Sequence, residues 1–428
     1  MKQGPITAVI VGAGHRALTY ASYARRRPDQ LKIVGVAEPD AHRRLCTAQL
    51  YDIPPERCFG SAEELAAHAP IADAVINGTM DLHHVPTSLP LLVAGYHLLL
   101  EKPFAVSEAE MWQLAQAAQE HERTVMICHV LRYAPFYAMI RERVAAGEIG
   151  EILSLDTTEH VSYHHMAVAF IRGKWSNEQA CGSSMLMSKC CHDLDLIAWM
   201  KSGVAPLRVS SFGGLSYFTS ARAPKGAGTR CIVDCPIEDQ CLYSARKHYL
   251  DHPQRWSAYV WNELQEIENP TIEQKTELLK TSVYGRCVWR SDNNVIDHQS
   301  VLVEFADGCS ATHNLVGGTA RPARTIHLLG THGEISGCLE DNRFVIRHID
   351  PRPGHEYAEH EVDVRAHGST DGHGGGDLRL VADFCRVLQG EAPSLSYTGL
   401  EDSIAGHLIG FRADVAMREH RVEELCMN

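Results

Sequence analysis

Short apolar runs rich in β-branched residues alternate with longer stretches of helical spacing through the early part of the chain. Ile6 to Val11, Ile33 to Ala37, Ala74 to Asn77, His97 to Leu100 and Val125 to Cys128 have the length and composition of strands buried on both faces. Between them, Leu18 to Arg26, Val85 to Ala94 and Val106 to His121 carry helix formers with helical spacing of apolar positions. This alternation predicts an α/β fold with a doubly wound parallel sheet, whose ligand lies across the carboxyl ends of the strands. Asn77, Thr79, Glu101, Lys102 and His129 all fall at such ends, and His83 and His84 open the helix after one of them.

The pattern changes after a helix predicted at Phe136 to Ala146. Gly147 and Gly150 bracket a turn into Ile152 to Val161, which alternates with period two as a strand with one buried face does. Met185 to Met200 reads as a helix, Gly308 and Gly318 punctuate later strands, and helices near Leu378 to Gln389 and Glu401 to Arg418 complete the chain. Ser216 to Gln274 is the least regular stretch and reads as an insertion. It is crowded with Tyr217, Tyr243, Arg246, Lys247, Tyr249, Arg255 and Trp256, and is expected to cap a substrate or to form a subunit contact.

At 428 residues the chain exceeds one comfortable core, and its net charge of −13 leaves no basic footprint for nucleic acid. No stretch approaches the roughly 20 apolar residues needed to span a bilayer. The chain enters its first strand almost at once, so a cytoplasmic enzyme is expected, a homo-oligomer with a small-molecule partner and neither nucleic acid nor membrane. The fourteen cysteines are scattered, as reduced thiols are. Cys231, Cys235 and Cys241 are dense enough for a structural zinc with Cys190, Cys191 or His248 as fourth ligand. Their spacing matches no standard zinc pattern, so no metal ligand is assigned.

The turn after the first strand is Gly12-Ala-Gly-His15-Arg16-Ala17. Gly12 permits the tight turn, Gly14 lets the backbone approach a pyrophosphate, and Ala17 supplies a small residue where helix meets strand. Glu38 ends the second strand where a carboxylate accepts hydrogen bonds from an adenosine 2′-hydroxyl and repels a 2′-phosphate, which favours NAD over NADP. Arg43 and Arg44 follow it and read as an exposed helix opening. The expected organisation is an NAD-binding Rossmann domain over 1–134 and a substrate-binding α/β domain over 135–428, with the insertion around 216–274.

The glycine turn, Glu101-Lys102-Pro103 and His192-Asp-Leu-Asp195 together resemble the Gfo/Idh/MocA oxidoreductases, a likeness that covers nearly the whole chain. The resemblance implies a C-terminal domain built on a large, mostly antiparallel sheet and an NAD(P)-dependent enzyme acting on a sugar, cyclitol or related polyol. It makes Lys102 the central active-site lysine and His192 the histidine of the family's Asp-x-x-x-His element. Here Ser188 stands at the aspartate position with Lys189 beside it, so the family's proton relay cannot be copied whole.

Three further features bear on the substrate. Lys189, His192 and, nearly, Asp195 recur along one polar stripe of their helix, and His192 has the ordinary pKa of a base near neutrality. Its alternative is a core histidine bonded to Asp195. Glu159, His160, Tyr163, His164, His165, Arg172, Lys174 and Trp175 offer a flat apolar ring and polar groups suited to a sugar, with His160, Tyr163, Arg172, Trp175, Lys189 and His373 as the substrate candidates. Arg172, Lys174 and Lys189 raise an acidic or sulfonated glycoside as substrate. The loop Asp371-Gly-His373-Gly-Gly-Gly-Asp377 implies close backbone approach to a ligand, or mobility. The cofactor candidates are Gly12, Gly14, His15, Arg16, Glu38, Thr79, His83, Glu101, Lys102 and His129, and the catalytic ones Lys102, His192 and Lys189. The expected reaction is hydride transfer from a secondary carbinol. The alternatives are glycoside hydrolysis by transient C3 oxidation, elimination, water addition and re-reduction, and a non-catalytic NAD-binding sensor.

Overall fold

The first six strands form one parallel sheet. The computed structural model describes residues 4–252, 259–367 and 371–426, so Arg255 and Trp256 lie outside the described residues. The strands are β1 (Ile6–Val11), β2 (Leu31–Ala37), β3 (Cys58–Phe59), β4 (Ala74–Asn77), β5 (His97–Leu100) and β6 (Val125–Ile127). They lie in the order β3-β2-β1-β4-β5-β6 with every pair parallel, so the chain reverses its winding between β1 and β4. That reversal opens the crevice in which such folds bind ligands. β3, two residues long, is too short to leave a periodic trace in the sequence.

The second sheet has nine strands: β7 (Ile152–Ser162), β8 (Pro206–Gly214), β9 (His298–Phe305), β10 (Ser310–Thr319), β11 (Ala323–Gly330), β12 (Gly333–Cys338), β13 (Arg343–Ile349), β14 (Tyr357–Asp363) and β15 (Glu423–Glu424). Only the β7–β10 pair is parallel, so the sheet is mostly antiparallel as the resemblance implies. Along β7, Leu155, Thr157, Glu159 and Val161 are buried while Asp156, Thr158 and His160 are half-buried. The helix Met185–Met200 packs on the buried face, where Lys189 meets Glu159 at 3.2 Å. Successive strand residues point to opposite faces, so His160 projects from the other side of the sheet and is not part of a site built on this helix.

The helix Gly376–Leu388 returns to the first sheet. Its Leu380, Val381, Phe384 and Cys385 are buried in one cluster with Ile6, Ala8, Ile10 and Tyr20. The boundary drawn at 134/135 is therefore crossed by a late element that completes the first core. Gly376 explains part of the glycine run that precedes this helix, because a Cβ there would lie 2.0 Å from the carbonyl oxygen of Val130. The close approach is to the backbone after β6 and not to a ligand. All fourteen cysteines are free, and among the described residues no helix is long and apolar enough to cross a membrane.

Candidate active site

The glycine turn is fixed by what it touches. Gly12 has φ +75°, and a Cβ on it would fall 2.9 Å from the amide nitrogen of Thr79. A Cβ on Gly78 would lie 2.7 Å from that of Ala17, so these two loops admit only small residues. Gly14 caps the helix His15–Ala21 without a side-chain acceptor, and the Leu18 amide bonds to Gly14 O at 3.1 Å. The amides of the first turn are left for an anion. Glu38, 5% exposed at the end of β2, faces this turn and accepts from the Ala13 amide at 2.7 Å and the Asp40 amide at 2.9 Å. Each of its oxygens keeps a second lone pair. Arg44 bonds to the Glu38 carbonyl, and the half-buried Arg43 reaches Gln265.

Glu101 and Lys102 leave β5 side by side. Glu101 accepts from Arg16 Nε at 2.9 Å, from the Tyr20 hydroxyl at 2.7 Å and from the Lys102 amide at 2.8 Å. Burial alone would raise its pKa; Arg16 and Lys102 override that and bring it to about 2. Arg16 also meets Asp377 at 2.6 Å, so its charge is answered by two carboxylates. Arg16 thus ties Glu101 to Asp377, and Glu101 in turn braces the Lys102 backbone. The Lys102 ammonium reaches Ser188 O at 2.9 Å. Ser188 spends its hydroxyl on Ser184 O at 2.9 Å, so it supplies no substitute for the missing aspartate.

His192 lies one turn further along that helix. It is 3% exposed, its Nδ1 has no hydrogen-bond partner, and its ring stands 5.7 Å from His129 and 6.1 Å from His373. Burial, then the Lys102 ammonium, hold its pKa well below the ordinary 6.5, so the imidazole is neutral at pH 7 and can accept a proton. Asp195 is not its partner: Arg132 engages both Asp195 oxygens, at 2.6 and 2.7 Å. His373 reaches the site by its contact with Asp377 at 3.3 Å.

Several expected residues stand elsewhere. His129 is 0% exposed, wedged between His192 and His407 at 5.5 Å, so it lies behind the His192 ring and cannot touch a cofactor. His83 is exposed, and its neighbour His84 is the buried one, bonded to Pro103 O at 2.6 Å and Thr79 O at 3.1 Å. His84 thereby ties the Lys102–Pro103 segment to the loop beneath the glycine turn. His15 opens its helix in an exposed position. Arg172 is 3% exposed and bonds to Arg286 O, Tyr243 O, the Tyr249 hydroxyl and Cys231 Sγ, so it offers nothing to a substrate. Lys189 is committed to Glu159, which Arg324 meets at 2.6 Å. Of the three cations that suggested an anionic substrate, only Lys174 stays exposed.

The surroundings of Lys174 are aromatic. Trp175 donates to Asp81 at 3.3 Å, carries Lys174 Nζ 4.2 Å from its ring centre, and meets Tyr259 of the insertion at 6.2 Å. Tyr163 turns instead toward the insertion, 5.3 Å from His248 and 6.1 Å from Tyr243. His165, buried with its pKa well below 6.5 through burial and then Lys189, stands on the site side. His84, His165, Tyr259 and Asp377 join the site only through long-range packing; the histidine-rich segments were visible, but not which histidine of each pair turns inward.

Residues 6–129 match the oxidoreductase family GFO_IDH_MocA, NAD-binding Rossmann fold, and residues 137–227 match the GFO/IDH/MocA C-terminal domain. YteT of Bacillus subtilis is 24% identical over 343 residues, covering 78% of this chain and 76% of that one. The inositol 2-dehydrogenase of Corynebacterium glutamicum is 26% identical over 234 residues, covering 54% of this chain and 64% of the enzyme, just under two thirds of its length. The structure of a levoglucosan dehydrogenase in complex with NADH superposes with a TM-score of 0.71 at 15% identity, over 99% of this chain and 100% of that one, a likeness of fold.

Proposed function

The chain belongs to the Gfo/Idh/MocA oxidoreductase family and binds NAD on its Rossmann domain, and from that premise we propose that it oxidises a secondary hydroxyl of a sugar, cyclitol or glycoside. One observation carries the reading. Lys102 and His192 converge from different domains, with the lysine ammonium on Ser188 O at 2.9 Å and a neutral imidazole one helical turn away. The glycine turn, the uncapped helix start and Glu38 fit the cofactor's pyrophosphate and ribose. When bound, NAD supplies the two-electron acceptor. Lys102 donates a hydrogen bond to the carbinol oxygen and offsets the negative charge that grows there, and His192 takes the hydroxyl proton. Lys189 is given no proton step, because its ammonium is paired. Trp175 and Tyr259 offer apolar faces to a ring, in keeping with the inositol dehydrogenase relative.

Redox-relay glycoside hydrolysis is the second reading. It is favoured by one observation: His165, His192 and His373 all have lowered pKa values in and beside the site, more neutral bases than a single proton transfer needs. Incubation with free sugars, cyclitols and aryl glycosides, following NADH absorbance and aglycone release together, separates the two. Stoichiometric NADH without release is expected. Aglycone release without net NADH replaces the dehydrogenase by the relay, and neither signal on any substrate sinks both.

Cofactor choice gives a separate expectation. Glu38→Ala removes the acceptor proposed for the ribose and frees the Ala13 and Asp40 amides. A charged hydrogen-bond acceptor is worth about 1.5–3 kcal/mol, so the Kd for NAD should rise on the order of tenfold to a hundredfold. The preference over NADP should narrow, since the carboxylate no longer repels a 2′-phosphate. Unchanged NAD affinity in calorimetry would remove Glu38 from the ribose site.

A further inference from the structure

Arg172 is a buried guanidinium whose partners are two backbone carbonyls, a phenol and a thiol, with no carboxylate among them. Full burial of a cation calls for a compensating negative charge. The cavity beside it is lined by Cys231, Cys235, Cys241 and Cys287. The fold has brought the fourth of these from far along the chain. Arg230 and Arg286 form an antiparallel bridge, the Cys287 amide donates to Thr229 O at 2.9 Å, and Arg172 Nε donates to Arg286 O at 2.7 Å. Cys231 and Cys287 therefore follow directly on paired residues. Two of the sulfurs already accept N–H donors, Cys231 from Arg172 Nη2 at 3.4 Å and Cys241 from the Tyr243 amide at 3.3 Å.

We propose that Cys231, Cys235, Cys241 and Cys287 bind one structural zinc ion, with Arg172 as its outer-shell counter-cation. Four thiolates around a dication leave a net charge of −2, which the guanidinium and the N–H donors to sulfur offset, as partners beyond the ligands do in zinc sites. Neither Cys190, Cys191 nor His248 supplies the fourth ligand. No three of the four sulfurs lie within 4.8 Å of one another in this structure; rotation about χ1 moves a thiol between staggered wells while the bridge holds the backbone. Cys190, Asp193 and His313 do satisfy that spacing, but they offer one thiol, one carboxylate and one imidazole, and Arg324 already pairs with the carboxylate at 3.1 Å. The zinc would fasten the insertion to the segment carrying Arg172, Lys174 and Trp175, and so set the wall of the substrate cleft.

The full-length protein, purified without chelator, is expected to hold about one zinc per chain by elemental analysis. After exchange with cobalt(II) it should show an intense thiolate charge-transfer band and the visible bands of a tetrahedral ion. Cys287→Ser and Cys235→Ser should each lower the zinc content at least fivefold, whereas Cys190→Ser should retain it. If the serine variants do not fold, the cobalt spectrum and the number of thiols that a mercurial must titrate before zinc is released decide alone; four are expected. Absence of both zinc and the charge-transfer band overturns the proposal. So do zinc retained by Cys287→Ser, zinc lost with Cys190→Ser, and an iron–sulfur chromophore in anaerobically prepared protein.

Discussion

Lys102→Ala should lower kcat by on the order of a thousandfold while leaving NAD affinity within a fewfold of wild type. Removing one donor to a developing oxyanion costs about 10²–10³ in kcat, and here the donor is also a cation that biases the base. Its amide, not its ammonium, is what binds Glu101, so the Arg16–Glu101 pair beside the proposed cofactor site should survive the truncation. The pH profile carries a second signature. Protonated His192 cannot accept a proton, so kcat/KM should rise with pH along an acid limb that lies below 6.5, because burial and Lys102 both disfavour the imidazolium. In the variant the neighbouring cation is gone, the imidazolium is less disfavoured, and the limb of the residual activity should move to higher pH. Turnover within a fewfold of wild type, or an acid limb that stays in place, removes Lys102 from the chemistry.

What was legible before the structure divides along a physical line. Short buried strands, the glycine turn, Glu38 and the lysine at the end of β5 are local features, and local period and turn chemistry place them within a residue or so. The helix Met185–Met200 was read with its observed bounds, and in the structure Ser184 caps its start, its hydroxyl accepting the Met187 amide at 3.1 Å. Parity and distance defeated the rest. His160 and Glu159 differ by one step in a strand, and that step decides which face of the sheet each meets. His83 and His84 differ by one step at a helix entry, with the same result. Arg172 looked like an anion receptor because nothing in its neighbourhood along the chain shows that Cys231, Tyr243 and Arg286 will surround it. Asp377 is reached only because its helix recrosses to the first sheet.

Arg132→Met should destabilise the fold by about 3–5 kcal/mol, the cost of removing one partner of a buried ion pair. Arg132 is 2% exposed and Asp195 1%, and the pair is bidentate. The same guanidinium donates to Tyr397 O at 2.9 Å and Asp402 O at 3.1 Å, so it joins the turn after β6, the helix that carries His192 and the start of the helix Leu400–Glu419. Removing it leaves the buried Asp195 carboxylate without its cation. Burial already raises the pKa of Asp195 above its ordinary value despite Arg132, and without the guanidinium it should rise further. A folded-state pKa raised above the unfolded one contributes stability at low pH and loses it as pH climbs through the folded value, so the variant's deficit should widen with pH. Arg132→Met combined with Asp195→Leu removes the stranded charge along with its partner and should be more stable than the single variant. Chemical denaturation at pH 5 and pH 8 checks both statements. A single variant that loses less than about 1 kcal/mol, or a double variant no better than the single, would show that this pair does not anchor the helix bearing the proposed base.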